Sequence, residues 1–343
     1  MNLEEKAKKI IEEYQMINKG DKILVAFSGG SDSSALLFFL LEYMKNLGEN
    51  IHDILFAAHM NHMIRGKDAD DDEKFAVETC GKYNIKIFTE HRNIPEIAKN
   101  PNGLGKKKSI EEAARDERYD FLSKTAELIG GNVKIATAHT ASDNTETIIF
   151  NLARGSGITG LSGISPVNRN IIRPLLSCSK EDINEYCVKN NIAYVEDITN
   201  ADEHYTRNFI RHSIAKKLKE KFNGIDENIF KTSEIMRDNA DFLNSCVEDI
   251  LKDKTDNVDI VLLMSKHKTL RRAVISKLYE NAVLPDVKKL EYKHVLYIER
   301  LLETKTKAKT NKSIDLPGLV TAEISGNILS FKKIKDKKTS GRR

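Results

Sequence analysis

The sequence predicts an α/β fold: a doubly wound, mostly parallel sheet, followed by a smaller, mainly helical C-terminal domain with a β-hairpin. Three observations predict it. Short apolar runs at 23–27, 54–58, 85–88 and 133–138 alternate with longer helical stretches, as strands and crossover helices do. The first run feeds a small-residue turn, Ser28-Gly29-Gly30-Ser31, and then a helix whose residues 35–41 are apolar on more than one face, as in a buried helix. Near Phe222-Asn-Gly-Ile the alternation stops. Helical stretches at 226–253, 265–280 and 287–302 then precede two strands, 319–324 and 328–331, joined by Ser-Gly-Asn. The expected domains are therefore 1–222, 223–334 and a short basic tail, 335–343.

Taken in order, residues 4–18 form an amphipathic helix with Leu3, Ala7, Ile10, Ile11 and Tyr14 near one face, stopped by Gly20-Asp21. The first strand, the glycine turn and a helix from Asp32 to about Leu47 follow. The second strand leads to a charged helix at 68–83, and the third to a flexible loop at 92–108 that contains Lys106, Lys107 and Lys108. Ser109 and Glu112 fit a capping box that starts a helix running to about Leu128, ended by Gly130-Gly131. After the fourth strand come a helix at 142–153, a short strand at Ile171-Ile172, a helix capped by Ser179 and another from Tyr205 to about Leu218.

Composition sets the class. A chain of 343 residues has two domains as its natural expectation. Apolar residues make up 40%, enough for a real core, and the charged 31% is mixed in sign, so the chain reads as soluble and globular. The longest apolar run is far too short to span a bilayer, and the N-terminus lacks the shape of a signal peptide. Cys80, Cys178, Cys187 and Cys246 are scattered, with no C-x-x-C, which indicates neither a zinc site nor a disulfide framework. A cytoplasmic protein without membrane attachment or a stable protein partner is expected. The net charge of +4 is uneven: residues 305–343 hold eleven Lys/Arg and three Asp/Glu, a net of +8, which leaves −4 (4 − 8) for the rest. A basic end on a neutral-to-acidic body suggests a polyanionic partner, most simply nucleic acid; for the last twelve residues alone a solvated lysine-rich tail is the better reading.

Strand, glycine turn and helix N-terminus together bind phosphate. The glycines let the backbone approach an anion, and the free N–H groups and dipole of the first helical turn attract it. The turn is not a Walker loop, which needs a lysine at the helix start; none lies between Lys22 and Lys45. A Ser/Gly turn that merely connects strand to helix is the plain alternative. In open α/β sheets ligands sit beyond the carboxyl ends of strands, and the residues there are polar. His59-Met-Asn-His62-Met-Ile-Arg65 suits contact with a nucleotide or substrate, or a surface turn; no third partner at ligand spacing supports zinc. Glu111, Arg115 and Arg118 share one helix face, either as an ion-paired solvated face or as arginines aimed at phosphate and steadied by a carboxylate. Asp143 and Glu146, three apart at a helix start, suit a metal ion or an ammonium group, or else helix capping. Arg154-Gly-Ser-Gly-Ile-Thr-Gly-Leu-Ser-Gly163 is too glycine-rich to pack a core and reads as a mobile or backbone-contact loop. Arg207 and Arg211, one turn apart, suit phosphate or an RNA backbone, or pairing with Asp197 or Asp202.

The Ser-Gly-Gly-Ser-Asp-Ser string resembles the signature of the PP-loop ATP pyrophosphatases, whose fold is adenine nucleotide alpha hydrolase-like. The ordered series is similar to that of the tRNA(Ile)-lysidine synthetase family: Ser28 to Ser33, the His59 to Arg65 block, Glu111-Glu-Ala-Ala-Arg115-Asp-Glu-Arg118-Tyr119, Ala138-His139 with Asp143 and Glu146-Thr147, Arg154-Gly-Ser-Gly, Arg173-Pro-Leu-Leu and Tyr205-Thr-Arg-Asn208. The match covers about residues 23–211 and continues weakly through Ile314-Asp-Leu-Pro-Gly318. Two departures stand out. Ser142 replaces the first of two aspartates often found there, and a further C-terminal domain carried by many members is expected to be lacking after the hairpin.

The resemblance implies an ATP-dependent ligase that converts the wobble cytidine of the CAU-anticodon isoleucine tRNA to lysidine, with free L-lysine as nucleophile and ATP and Mg²⁺ required. It implies residues 1–222 as the catalytic domain and 223–334 as a tRNA-binding domain. It implies ATP binding by Ser28, Gly29, Gly30, Ser31, Asp32, Ser33 and His59, with Mg²⁺ on Asp32. It implies catalysis by Asp32, Arg115, Asp143 and Glu146, and tRNA contacts from Lys106, Lys107, Lys108, Arg207 and Arg211. A PP-loop tRNA thiolase and a non-catalytic tRNA-binding protein are the alternatives; thiolases often need paired cysteines or an iron–sulfur cluster.

Overall fold

Strand β1 (Lys22–Ala26) lies inside the first sheet, and its composition explains why. Ile23, Leu24 and Val25 are fully buried, so both of its faces are covered. Side-chain alternation sends Ile23 and Val25 into one core and Leu24 into another. The computed structural model describes residues 1–64, 66–99, 109–195, 206–252, 254–283, 290–305 and 312–333.

The chain enters through α1 (Leu3–Glu13), whose Leu3, Ala7, Ile10 and Ile11 pack into the first core. It ends earlier than its pattern predicts: Gln15 takes the left-handed conformation at φ 46°, which no helix continues through. After β1 come α2 (Ser31–Asn46), α3 (Ile51–Ile54), β2 (Leu55–Asn61), α4 (Lys67–Lys82), β3 (Lys86–His91), α5 (Ile94–Lys99) and α6 (Ile110–Ile129). The capping box of α6 forms as predicted, with Ser109 and Glu112 bonding each other's backbone. Then follow β4 (Val133–Ala136), α7 (Ala141–Ala153), α8 (Ile158–Leu161), β5 (Val167–Asn168), β6 (Ile171–Ile172) and α9 (Lys180–Lys189), with Ser179 capping as expected. The helix expected from residue 205 is broken into α10 (Thr206–Phe209), a π-helical segment Ile210–Ala215 and α11 (Lys216–Lys221). Segments with π geometry recur at functional sites, and this one carries Arg211.

The strands order as β3-β2-β1-β4-β6-β5, parallel throughout except for the β5–β6 pair. β1 to β3 progress outward in one direction, and the chain then returns to place β4 on the other side of β1. The crevice beyond the carboxyl ends of β1 and β4 is therefore the topological switch point, where open α/β sheets bind ligands. Helices α1, α2 and α9 supply residues to the core on one face, and α6 supplies Phe121, Leu122 and Ala126 to the other. This is the doubly wound architecture expected.

The chain divides into two compact units, Met1–Met236 and Arg237–Arg343, and the division falls within α12 (Ile225–Leu251), beyond the boundary expected near residue 222. The second unit contains β7 (Asn257–Asp259), α13 (Ile260–Met264), α14 (Lys268–Ala282), α15 (Tyr292–Lys305), β8 (Lys312–Leu316), β9 (Val320–Ser325) and β10 (Ile328–Lys333). The expected hairpin is present as β9 and β10, but it belongs to a four-stranded antiparallel sheet ordered β7-β10-β9-β8. Val320, Ala322, Ile324, Leu329 and Phe331 turn one face of that sheet onto Val274, Leu278 and Ile298. Among the described residues no helix is long and apolar enough to cross a membrane.

Candidate active site

At the switch point a cavity of about 620 Å³ opens, lined by Ala26 at the end of β1, by Phe27 and Ser28 just after it, by Asp32 and Ser33 of α2, and by residues of α6 and α7 and those after β4 and β6. The turn after β1 is held by its own side chains. Ser28 N–H donates to Ser33 Oγ at 3.2 Å, and Ser33 Oγ donates to the Gly30 carbonyl at 3.0 Å. Gly29 sits at φ +87°, and a Cβ there would lie 3.2 Å from the Phe75 ring, so the turn requires glycine. Gly30 and Ser31 start α2 without a side-chain cap, leaving first-turn N–H groups available to an anion. Of the six residues expected to bind ATP in this string, Ser28, Asp32 and Ser33 line the cavity, and Gly29, Gly30 and Ser31 are not among its lining residues.

His59 is buried on β2, outside the lining residues, and its Nδ1 donates to the Phe27 carbonyl at 3.0 Å. Burial lowers its pKa, so the ring is neutral and braces the strand just ahead of the turn. His62 lines the cavity itself. Arg65, Lys106, Lys107, Lys108, Asp197, Asp202 and the tail 335–343 lie outside the described residues. Arg207 falls on α10.

Arg115 and Arg118 both line the cavity, with their guanidinium carbons 5.2 Å and 5.7 Å from the centre of the Tyr119 ring. A third arginine joins them. Arg173, immediately after β6, is 5% exposed and donates Nη1 to the Ser165 carbonyl at 2.6 Å. His139, after β4, lies near all three; its Nδ1 shares a 2.9 Å hydrogen bond with Thr137 Oγ1. Burial pushes its imidazole down to about 4 against the pull of Asp143, with Arg173, Arg118 and Arg115 reinforcing burial. Sequence reasoning singled out neither residue as functional. The signal was available: both follow strands of the parallel sheet, where ligand-facing residues concentrate.

The two carboxylates of α7 divide their roles. Asp143 is the capping acid, accepting from Thr140 N–H at 2.8 Å and Thr140 Oγ1 at 3.0 Å. Its other oxygen faces Arg211 Nη2 at 3.6 Å. Glu146 caps nothing. It accepts two parallel bonds from Arg211, Nε to Oε1 at 2.7 Å and Nη2 to Oε2 at 3.0 Å. Burial raises the Glu146 pKa while Arg211 opposes that rise. Thus the structure brings Asp143 and Glu146 together at the cavity and adds Arg211, which the sequence reading had grouped with tRNA contacts. The glycine-rich loop reaches the same cavity by close backbone approach: a Cβ on Gly163, at φ +65°, would fall 2.1 Å from Asn144 Oδ1.

Ser142 points elsewhere. Its hydroxyl donates to Asp226 Oδ2 at 2.7 Å and accepts from Lys219 Nζ at 2.9 Å, and Thr145 Oγ1 donates to Asp226 Oδ1 at 2.7 Å. Among the described residues no group of three or more His, Cys, Asp or Glu side chains could hold a metal ion. Asp32 is a single carboxylate in the cavity lining beside the phosphate turn, the kind of ligand that holds Mg²⁺ together with waters and a substrate's phosphates.

The PP-loop domain family matches residues 1–218. The tRNA(Ile)-lysidine synthase of Caldanaerobacter subterraneus subsp. tengcongensis is 36% identical over 340 residues, covering 97% of this chain and 70% of that relative. The chain belongs to the tRNA(Ile)-lysidine synthase family. A second tRNA(Ile)-lysidine synthase, from Thermosipho africanus, is 43% identical over 220 residues, 64% of this chain and 49% of that relative. The chain thus spans from about half to 70% of the lysidine synthases it matches. Among solved structures, the U34-tRNA thiolase NcsA from Methanococcus maripaludis aligns with a TM-score of 0.53 at 18% identity, over 68% of this chain and 78% of that one, a likeness of fold. Family membership favours the lysidine synthase reading over a thiolase. The thiols agree: Cys80, Cys178 and Cys187 are buried, none of the four cysteines lines the cavity, and burial pushes Cys80 and Cys178 up to about 12.

Proposed function

We propose that this protein is an ATP-dependent tRNA(Ile)-lysidine synthetase that joins free L-lysine to the wobble cytidine of the CAU-anticodon isoleucine tRNA, in the cytoplasm. One observation carries the reading: a single cavity presents the phosphate turn, a cluster of arginines, and a carboxylate pair that already holds a cation. In the first step the cytidine C2 oxygen attacks the α-phosphorus of ATP, the bond to the β-phosphate oxygen breaks, and pyrophosphate leaves. The turn from Ser28 to Ser33 binds the leaving phosphates through its N–H groups, and Arg115 stabilises charge on the α-phosphate. Mg²⁺ bound at Asp32 supplies further charge neutralisation when present. In the second step the lysine ε-nitrogen, having lost a proton, attacks C2. The C2–O bond breaks and AMP departs with the oxygen. Asp143 and Glu146 hold the incoming ammonium and take its proton. The Glu146 carboxylate, whose pKa burial raises, is suited to that transfer.

Arg211 occupies the place of that ammonium, so lysine binding requires the Arg211 guanidinium to yield or to share Glu146. The target base must leave any stack to reach a cavity at the end of a sheet, which an anticodon loop permits. Lys106, Lys107, Lys108, Arg207 and the unit Arg237–Arg343 supply RNA contacts in this reading. The decisive test is pyrophosphate release from ATP with unmodified isoleucine CAU tRNA, with and without L-lysine, followed by mass spectrometry of the anticodon nucleoside. A gain on cytidine equal to lysine less water supports the assignment. Pyrophosphate release without that adduct moves it to another nucleophile, and no release with any tRNA leaves only RNA binding.

A further inference from the structure

The carboxylate pair on α7 has little charge to spare. Asp143 and Glu146 bring two negative charges to the cavity, and Arg211 sets one positive charge against them. One net negative charge is left for a substrate ammonium. A further cation stands close by. Lys219, on α11, donates Nζ at 2.9 Å to the hydroxyl of Ser142, the residue before Asp143. It does not line the cavity, yet its charge is felt there: burial raises the Glu146 pKa, Arg211 opposes that rise, and Lys219 opposes it too.

Asp226 is what holds Lys219. Helix α11 ends where Phe222 N–H closes on the Leu218 carbonyl at 2.8 Å, and Gly224, at φ +70°, turns the chain into α12. That turn brings Asp226, in the first turn of α12, back to the Lys219 ammonium at 2.7 Å. An acid at a helix start often serves only to complement the helix dipole. Asp226 does more. It is 4% exposed, and both of its oxygens are bound by α7, Oδ2 by Ser142 and Oδ1 by Thr145. A carboxylate so buried requires such donors and a cation. Ser142 and Thr145 share one face of α7, while Asp143 and Glu146 share the next, which lines the cavity. Asn144 extends the attachment, donating to Ser233 Oγ of α12 at 3.1 Å.

We propose that Asp226 is a positioning residue for the substrate ammonium, acting through Lys219: it fixes that side chain at Ser142 and keeps it off the Asp143–Glu146 pair. Released, the Lys219 ammonium would cancel the one charge left at the pair and compete with a free lysine of the same chemistry. This rests on the reading that L-lysine is the substrate.

The test is the rate of lysine adduct formation on tRNA across a range of L-lysine concentrations, with lysine-independent pyrophosphate release measured beside it. The proteins are the wild type, Asp226→Asn, Lys219→Met and the double variant. Asp226→Asn keeps the shape of the side chain and removes its charge. Its KM for lysine should rise roughly 10-fold, the scale of one unit charge acting across a partly buried site. Its kcat at saturating lysine and its pyrophosphate release should stay within about twofold, the scatter of uncoupled sites. The double variant should recover a KM within about threefold of the wild type, because no second ammonium remains, and Lys219→Met alone should not raise it. An unshifted KM in Asp226→Asn would overturn the inference. So would a raised KM that the double variant fails to recover, which marks a displaced α7 in place of a freed cation; thermal unfolding reports such displacement separately. If the wild type releases pyrophosphate but forms no lysine adduct, the lysine reading fails and this inference falls with it. A wild-type adduct leaves the result for Asp226 to stand alone.

Discussion

Arg211 and Glu146, 65 positions apart, form a two-pronged ion pair inside the cavity, at 2.7 and 3.0 Å. The Glu146 side chain is 9% exposed, so its charge depends on that partner. Arg211→Ala therefore leaves a buried carboxylate without its cation. Urea denaturation should show a loss of about 1–3 kcal/mol, the cost of an unsatisfied buried group tempered by the partial exposure of Arg211.

The two proposed chemical steps should separate by mutation. Glu146→Gln and Asp143→Asn remove the ammonium-holding charge while leaving the phosphate turn intact. Lysine adduct formation should fall by roughly 10²-fold or more, the usual worth of general base catalysis. Pyrophosphate release with tRNA should persist. A parallel loss of both signals would show that the carboxylates serve adenylation.

Asp32→Ala should abolish AMP formation. Arg115→Ala should slow pyrophosphate release by roughly 10²- to 10³-fold, as loss of one electrostatic stabiliser does. Full activity in either variant, read by thin-layer separation of labelled AMP, would remove that residue from the mechanism.

His139 gives a pH signature. Its imidazole titrates at about 4 in the folded protein because it is buried, against an ordinary value of 6.5. Between these values the unfolded chain binds a proton that the folded one does not, so stability is present above pH 6.5 and is lost as pH falls toward 4. The unfolding free energy of the wild type should fall more steeply over that window than that of His139→Gln. Identical slopes would mean that the ring protonates freely in the fold.

Ser142→Ala tests the departure at that position. It removes the hydrogen bonds to Asp226 and Lys219 and should cost about 1 kcal/mol of stability. Pyrophosphate release should be unchanged, because Ser142 does not line the cavity. A large loss of activity at unchanged stability would tie Ser142 to the reaction.

Much of this was legible in the primary structure because the physics involved is local. A run of three apolar residues at Ile23 to Val25 buries on both faces, and alternation with helices dictates a parallel sheet with crossovers. The Ser109–Glu112 and Ser179–Asp182 boxes report helix starts within four residues. Gly29 marks a turn at positive φ, and carboxyl-terminal strand positions mark the ligand side. Tertiary structure alone decided the partners. Asp143 and Glu146 read as an equivalent pair, yet one caps a helix and the other binds Arg211, a distinction set by the π-helical segment Ile210–Ala215. Ser142 turns to Asp226, 84 positions on, and Lys180 reaches Asp32 through the packing of α9 on α2. Such pairings depend on how elements stack in space, and spacing along the chain encodes only contacts that a single strand, turn or helix can make.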